Sequence, residues 1–191
     1  MILDFSTLDE AQRYKTMSNT IFPRPIAWIT TEDDGVVNLA PFSYFTPLSS
    51  KPPLVIVSIG HKENGEPKDT LANILKNGVC TINFAHKELL DALKNSAEAL
   101  PKEVSECEHF DIETKKVLES FPPMVADAKC ALFCEFVKTV DVGSRFEPVI
   151  LEVKQMYIDE QNVDEKGHIH LENIGRVGIE FLADSNRIVK N

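Results

Sequence analysis

The stretch NLAPFSYFTPLSSKPPLV, residues 38–55, decides the fold. Its prolines, at positions 41, 47, 52 and 53, have no N–H group to donate to a β-ladder. A strand that contains them must lie at a sheet edge, or break, where its remaining amides face something other than a neighbouring strand. The stretch therefore predicts an edge strand whose free backbone N–H groups are available to a ligand.

Aromatic rings and short hydroxyl groups lie side by side within this stretch. Phe42, Tyr44 and Phe45 offer flat apolar faces, whereas Ser43 and Thr46 offer hydrogen-bond donors. This mixture suits a planar heteroaromatic ring. An aromatic core strand that ends in a proline turn explains the same composition equally well, so the residue types alone leave both interpretations open.

Strand patterns dominate the rest of the chain. Residues 26–31 and 36–40, joined by the turn sequence Glu-Asp-Asp-Gly, predict a β-hairpin, and LVIVSIG at residues 54–60 predicts a central strand. Further strands are predicted over residues 79–84, 129–141, 147–159 and 175–181. Because most strands follow one another directly, the sequence predicts a mainly β protein with a largely antiparallel sheet curled into a barrel.

Three helices are expected outside the sheet. Thr7 and Glu10 have capping-box spacing and predict a helix that reaches about Ser18. Asp69 is placed to cap a second helix, which ends at Gly78. Residues 86–96 predict a third.

Size and composition favour one ordinary folded domain over residues 1–191. The 191 residues carry a formal charge of −10, which argues against nucleic acid and anionic membranes as partners. No apolar run is long enough for a membrane span, and the first residues lack a signal-peptide pattern, so a cytoplasmic protein is expected. No cysteine pair forms a C-x-x-C motif, which favours free buried thiols over zinc.

A candidate anion site lies where the second helix begins. Lys68 and Thr70 stand at a helix N-terminus, whose unpaired amides and partial positive charge suit a phosphate. Asp69 opposes this interpretation, because its carboxylate can cap the same amides and repel an anion. A plainly capped helix is the alternative.

The preceding strand and an upstream cation extend this candidate site. Ser58 offers a hydroxyl, Gly60 has no side chain to block close approach of a ligand to the backbone, and Arg24 adds a positive charge.

The histidines form no catalytic set. His168 and His170 are a candidate metal pair by their spacing, but solvated surface histidines are favoured because no third ligand is evident.

In their order along the chain, these motifs resemble the flavin reductase-like family of FMN-binding split barrels. The resemblance covers residues 23–84 in one collinear block and rests on PRPIAW, the Asp-Gly turn, NLAPFSYF, SSKPPLVIVSIG and KDTLANI, then Gly78 and a strand with Asn83. The weaker tail, EFVKTVDVG, VILEVKQMYID and IGRVG, is similar to the family's closing strands.

The resemblance implies a six-stranded antiparallel Greek-key split barrel with attached helices, forming a homodimer with FMN near the subunit interface. The residues carried over to the isoalloxazine ring, largely through backbone atoms, are Ala40, Pro41, Phe42, Ser43 and Tyr44. Those carried over to the ribityl phosphate are Ser58, Gly60, Lys68 and Thr70, with Arg24 beside them.

The resemblance also implies an oxidoreductase in which NAD(P)H gives a hydride to flavin, either free or as bound FMN that serves a further acceptor. A non-enzymatic FMN-binding or electron-transfer module is the alternative, and a heme or pyridoxal-phosphate protein is a third. No side-chain catalytic residue is expected, because the flavin carries the chemistry. Residues 144–147 lack a histidine that is common in the family, and Phe181 replaces an aromatic hydroxyl, which affects the nicotinamide side of the pocket.

Overall fold

In the computed structural model, which describes residues 1–183, most of the chain forms strands. The strands are β1 (Arg24–Pro25), β2 (Ala27–Asp33), β3 (Val36–Phe42), β4 (Phe45–Ser50), β5 (Pro53–Gly60), β6 (Val79–Asn83), β7 (Thr114–Lys115), β8 (Met124–Val125), β9 (Cys130–Thr139), β10 (Phe146–Ile158), β11 (Gly175–Val177) and β12 (Glu180–Leu182). The helices are α1 (Glu10–Thr20), α2 (Asp69–Asn77), α3 (Leu90–Asn95) and α4 (Glu106–His109).

Seven strands form one antiparallel sheet in the order β3-β2-β6-β9-β10-β5-β4. Its two outermost strands, β3 and β4, are consecutive in the chain and are joined by Ser43 and Tyr44 alone. In a flat sheet these strands would lie roughly 29 Å apart, whereas the link from Phe42 to Phe45 spans at most about 11 Å. The sheet must therefore curl into a barrel.

No ladder joins β3 to β4 in the described part of the chain, so the barrel is split there rather than closed. The predicted antiparallel split barrel is confirmed. The sheet has seven strands, one more than the resemblance implied. Both edge strands carry prolines of the quoted stretch, Pro41 in β3 and Pro47 in β4, as their missing N–H groups require.

Side chains that alternate along β2 supply two cores. Ala27 and Ile29 point into the barrel, where they pack with residues of β5 such as Val57. Trp28 points outward into a second core that lies beneath the segment between β6 and β9. Its indole Nε1 donates to Ser96 Oγ at 2.8 Å, which anchors α3 on the outside of the sheet.

Most predicted elements are confirmed, and two need correction. The β2–β3 hairpin turns at Asp34 and Gly35, both with positive φ. Helix α1 is capped by Asp9 and Gln12 rather than by Thr7 and Glu10, because Asp9 lies where its carboxylate accepts from the Gln12 N–H at 2.8 Å. Residues 175–181 fold into the β11–β12 hairpin instead of one strand, and β11 pairs with β1.

The segment between α3 and β7 seals the free edge of β3. Ser105 Oγ donates to the carbonyl oxygen of Val37 at 2.6 Å, and the carboxylate of Glu106 accepts from the N–H of Leu39 at 2.9 Å. Two side chains thus take the place of a neighbouring strand. Because this edge is buried, so is the Glu106 carboxylate, and burial raises its pKa.

The four cysteines are buried free thiols, as predicted. Burial raises the pKa of Cys107 to about 12 and that of Cys130 to about 11, which keeps both protonated at neutral pH.

Among residues 1–183, no helix has the length and hydrophobicity that crossing a membrane requires.

Replacing Glu106 with glutamine is expected to raise the melting temperature at pH 7. The pKa of Glu106 is higher in the folded chain than in the unfolded chain, so stability falls as pH rises through this interval. The glutamine side chain keeps an acceptor for Leu39 N–H without the buried charge. The difference should disappear below about pH 4, where Glu106 is protonated in both states. Glu108→Gln, on the exposed side of α4, is the control, and an E106Q variant less stable than the parent at pH 7 would contradict this account.

Candidate functional site

The proline-containing stretch, the end of β5 and the start of α2 meet in space. The N–H of Ser58 donates to the carbonyl oxygen of Tyr44 at 2.8 Å, which ties the β3–β4 link to β5. Lys68 Nζ lies 5.9 Å from the centre of the Phe42 ring. The segments predicted to bind the two ends of one ligand therefore share one region of the surface.

Helix α2 begins without a side-chain cap. Lys68 occupies the N-cap position, and no side chain accepts a hydrogen bond from the first turn. The carboxylate of Asp69 instead accepts from Lys62 Nζ at 2.8 Å. The predicted cap at Asp69 is thus wrong, because Lys62 holds this carboxylate and neutralises its charge. The first amides of the nine-residue helix and its partial positive charge remain open to an anion.

The remaining predicted phosphate residues differ in accessibility. Ser58 is half-buried, and its hydroxyl has no hydrogen-bond partner within residues 1–183. Thr70 is buried, and its Oγ1 accepts from Asn38 Nδ2 at 2.9 Å, so it anchors α2 to β3. A Cβ on Gly60 would lie 3.1 Å from Cε1 of Phe146, so glycine permits close packing of β10 on β5.

Arg24 is committed to the protein itself. The buried guanidinium donates to the carbonyl oxygens of Ser18, Ile21 and Gly178, and its Nε lies 3.5 Å from Ser43 Oγ. These bonds join the end of α1 to the turn between β11 and β12. Arg24 therefore lies next to the predicted ring residues, with its Cζ 5.8 Å from the centre of the Tyr44 ring.

The β3–β4 link forms the predicted ring wall. Ser43 is half-buried, and its backbone N–H has no acceptor in the described part of the chain. The Tyr44 ring stacks on Tyr14 of α1, with ring centres 6.0 Å apart, and burial raises its pKa. Ala40 packs against the barrel core, and Phe42 belongs to it. Of the five predicted ring residues, Ser43 and Tyr44 are therefore the two half-buried ones whose backbone N–H groups have no acceptor within residues 1–183.

A cavity of about 420 Å³ opens beside this wall. Its apolar and aromatic lining residues are Tyr14, Ile26, Pro41, Leu93, Ala97, Ile179 and Phe181, and its polar ones are Ser43, Lys94 and Arg176. Sequence reasoning found Pro41 and Ser43 and noted Phe181, but did not single out Tyr14 or Arg176. Both come from segments distant in sequence, α1 and β11, and only the exposed position of Tyr14 on its helix offered a signal.

The histidine pair near the chain end binds a carboxylate. His168 Nδ1 and His170 Nε2 lie 3.0 Å and 3.2 Å from the same oxygen of Asp164. The backbone N–H of His168, followed by the His170 side chain, lowers the pKa of this carboxyl to about 2. Within residues 1–183, no cluster of three side chains has the composition and spacing of a metal site.

The antiparallel barrel, split between β3 and β4, places the protein in the class of split-barrel proteins. The chain belongs to the flavin reductase like domain family, whose sequence model matches residues 17–185, so the predicted family is confirmed. An uncharacterized protein of Deinococcus radiodurans is 34% identical over 185 residues, which are 92% of this chain and 81% of that protein.

Two solved structures show how far the likeness extends. Nitrilotriacetate monooxygenase component B from Bacillus cereus has a TM-score of 0.92 at 26% identity, with 100% of this chain and 98% of that chain covered. The 2-nitrobenzoate 2-nitroreductase NbaA of Pseudomonas fluorescens has a TM-score of 0.88 at 25% identity, with coverage of 100% and 96%. The fold is thus shared with both of these proteins.

Arg24→Gln is expected to destabilise the fold without weakening phosphate recognition. The variant loses buried hydrogen bonds to carbonyl oxygens, which costs about 2 to 4 kcal/mol of unfolding free energy. Phosphate recognition is measured as the ratio of the Kd values for riboflavin and FMN, and this ratio should stay at its parent value. A ratio that falls tenfold in R24Q would return Arg24 to the phosphate site.

Proposed function

We propose that the protein is an FMN-dependent oxidoreductase that accepts a hydride from NAD(P)H. The observation that carries the proposal is the meeting of an uncapped, lysine-led helix start with a ring wall whose Ser43 N–H is unused. Similarity to a nitroreductase and to a monooxygenase component supports the assignment to redox chemistry.

The phosphate end of FMN is assigned to the start of α2. The exposed Lys68 ammonium and the first amides of the helix are assigned as donors, together with the half-buried hydroxyl of Ser58. Lys62 acts indirectly, because it keeps the Asp69 carboxylate away from these amides. Thr70 positions the helix through Asn38. Gly60, which has no side chain, allows the Phe146 ring of β10 to pack closely on β5.

The ring end is assigned to residues 40–44. Ala40 and Phe42 pack on the barrel core, and the Tyr44 ring stacks on the Tyr14 ring of α1. These contacts fix the position of the ring wall. The Ser43 N–H is then a fixed donor for the ring edge, where negative charge develops on reduction. FMN, when bound, supplies the two-electron chemistry. The protein residues seat the ring and leave the cavity side of the wall open.

The reductase function is tested by mixing purified protein, FMN and NADH or NADPH without oxygen. Loss of the flavin absorption band at about 450 nm with either nucleotide is the expected result. A flavin that stays oxidised with both nucleotides leaves the electron-transfer module as the function. Heme or pyridoxal phosphate in the purified protein would instead overturn the FMN assignment.

Lys68→Ala is expected to weaken FMN affinity by about 1 to 2 kcal/mol through loss of a charge-assisted bond. Riboflavin, which has no phosphate, should bind the variant and the parent equally. The measurement is the Kd of each flavin by fluorescence titration. Lys138→Ala, on the exposed face of β9, is the control for charge. Equal losses for both flavins would move the phosphate away from Lys68.

We further propose that the protein is a cytoplasmic homodimer whose single domain spans the chain. Large apolar side chains are exposed next to the cavity, with Ile21 at 59%, Phe22 at 56% and Ile179 at 82% exposure. Such a patch favours burial by a second copy. Light scattering should give twice the 21.4 kDa chain mass. Phe22→Asp should shift the protein to the monomer, and a parent protein that is already monomeric refutes the dimer.

A further inference from the structure

The cavity beside the ring wall has a charge opposite to that of the whole chain. The chain carries a formal charge of −10, yet the charged side chains that line the cavity are Lys94 and Arg176, and no carboxylate of residues 1–183 lines it. Lys94 is more than half exposed and lies 3.8 Å from Asp91, which reduces its effect. Arg176 is therefore the main source of positive charge inside the cavity.

Arg176 is held in place without a carboxylate partner. Its Nε donates to the carbonyl oxygen of Gly178 at 3.4 Å, and its guanidinium carbon lies 4.2 Å from the centre of the Phe181 ring. Within residues 1–183 it makes no ion pair, and the titratable groups near it are Tyr14 and Arg24. A half-buried cation beside another cation is an unfavourable arrangement that an anion would relieve.

The rest of the cavity suits a flat apolar group. Ile26, Leu93 and Phe181 supply apolar and aromatic surface, and the volume of about 420 Å³ lies in the range of small-molecule sites. Pro41 and Ser43 form one wall, which is also the proposed flavin wall. A ligand in the cavity would thus lie beside the flavin ring.

We propose that this cavity binds a small aromatic carboxylate, with the carboxylate paired to the guanidinium of Arg176 and the ring between the apolar walls. The proposal rests on the proposed function for its place beside FMN. The planar fork of an arginine matches a carboxylate with two parallel hydrogen bonds, which an ammonium group does not reproduce. Phe181 stacks on the guanidinium and fixes its orientation.

The test is a calorimetric titration of the FMN-loaded protein with benzoate and with its neutral counterpart benzamide. Benzoate should bind the parent at least about ten times more tightly than benzamide. Arg176→Gln should remove this preference by weakening benzoate alone, and unchanged benzamide binding shows that the cavity is intact. Arg176→Lys should retain part of the preference. Lys138→Gln, which removes the same charge from the exposed face of β9, should match the parent.

Equal binding of the two probes to the parent, or a benzoate preference that survives in both Arg176 variants, overturns the proposal. Phosphates of the reductant are a second source of the same negative charge, so ADP-ribose is titrated in parallel. If ADP-ribose binds through Arg176 while benzoate shows no Arg176-dependent preference over benzamide, the cation serves the dinucleotide and the aromatic carboxylate is refuted.

A failure of the proposed function gives a different pattern. The same titrations are repeated on protein without flavin, and FMN affinity and bleaching by NADH are measured on the same preparation. Protein that shows the Arg176-dependent benzoate preference but neither binds nor reduces FMN supports the cavity assignment and refutes the oxidoreductase. Protein that reduces FMN but shows no preference refutes the cavity assignment alone.

Discussion

The two-residue link between the outermost strands of the sheet is the constraint on which the structure depends. Ser43 and Tyr44 join β3 to β4, so the seven-stranded sheet must curl until these two edge strands lie close together without pairing. The curl encloses the first core and brings the end of β5 and the start of α2 to the same place as the link. Ser43 lies outside both strands, and its N–H has no acceptor in the described part of the chain. One connection thus shapes the barrel and supplies the ring wall of the candidate site.

Electrostatic placement decides what this site can bind. The Lys62–Asp69 ion pair holds a carboxylate that would otherwise compete with an anion at the start of α2. On the other side of the link, Arg176 is held over Phe181 in a cavity lined by no carboxylate of the described residues. The two ends of the site therefore both favour negative charge, although the chain as a whole is acidic. A phosphate and a second anionic group fit this distribution better than neutral ligands do.

The sequence predicted the features that depend on local chemistry. Prolines without N–H groups placed β3 and β4 at the edges, and the Asp-Gly turn placed the β2–β3 hairpin. Features that depend on distant partners were wrong or missed. Asp69 has the residue type of a cap, and only the fold reveals that Lys62 binds it. Helix α4 has only four residues, too few for a periodic sequence pattern, and the pairing of Glu106 with the N–H of Leu39 is visible only in the fold. Arg176 reaches the cavity only through the pairing of β11 with β1.

Both edge strands of the sheet, β3 and β4, are protected against pairing with a strand of another molecule. Along β3, Ser105 and Glu106 occupy backbone groups that another chain would otherwise pair with. Along β4, Pro47 lacks an N–H group and the pairing register shifts between Pro47 and Ser49. Neither edge presents an uninterrupted row of donors and acceptors, so the folded chain is a poor template for fibril growth by strand addition.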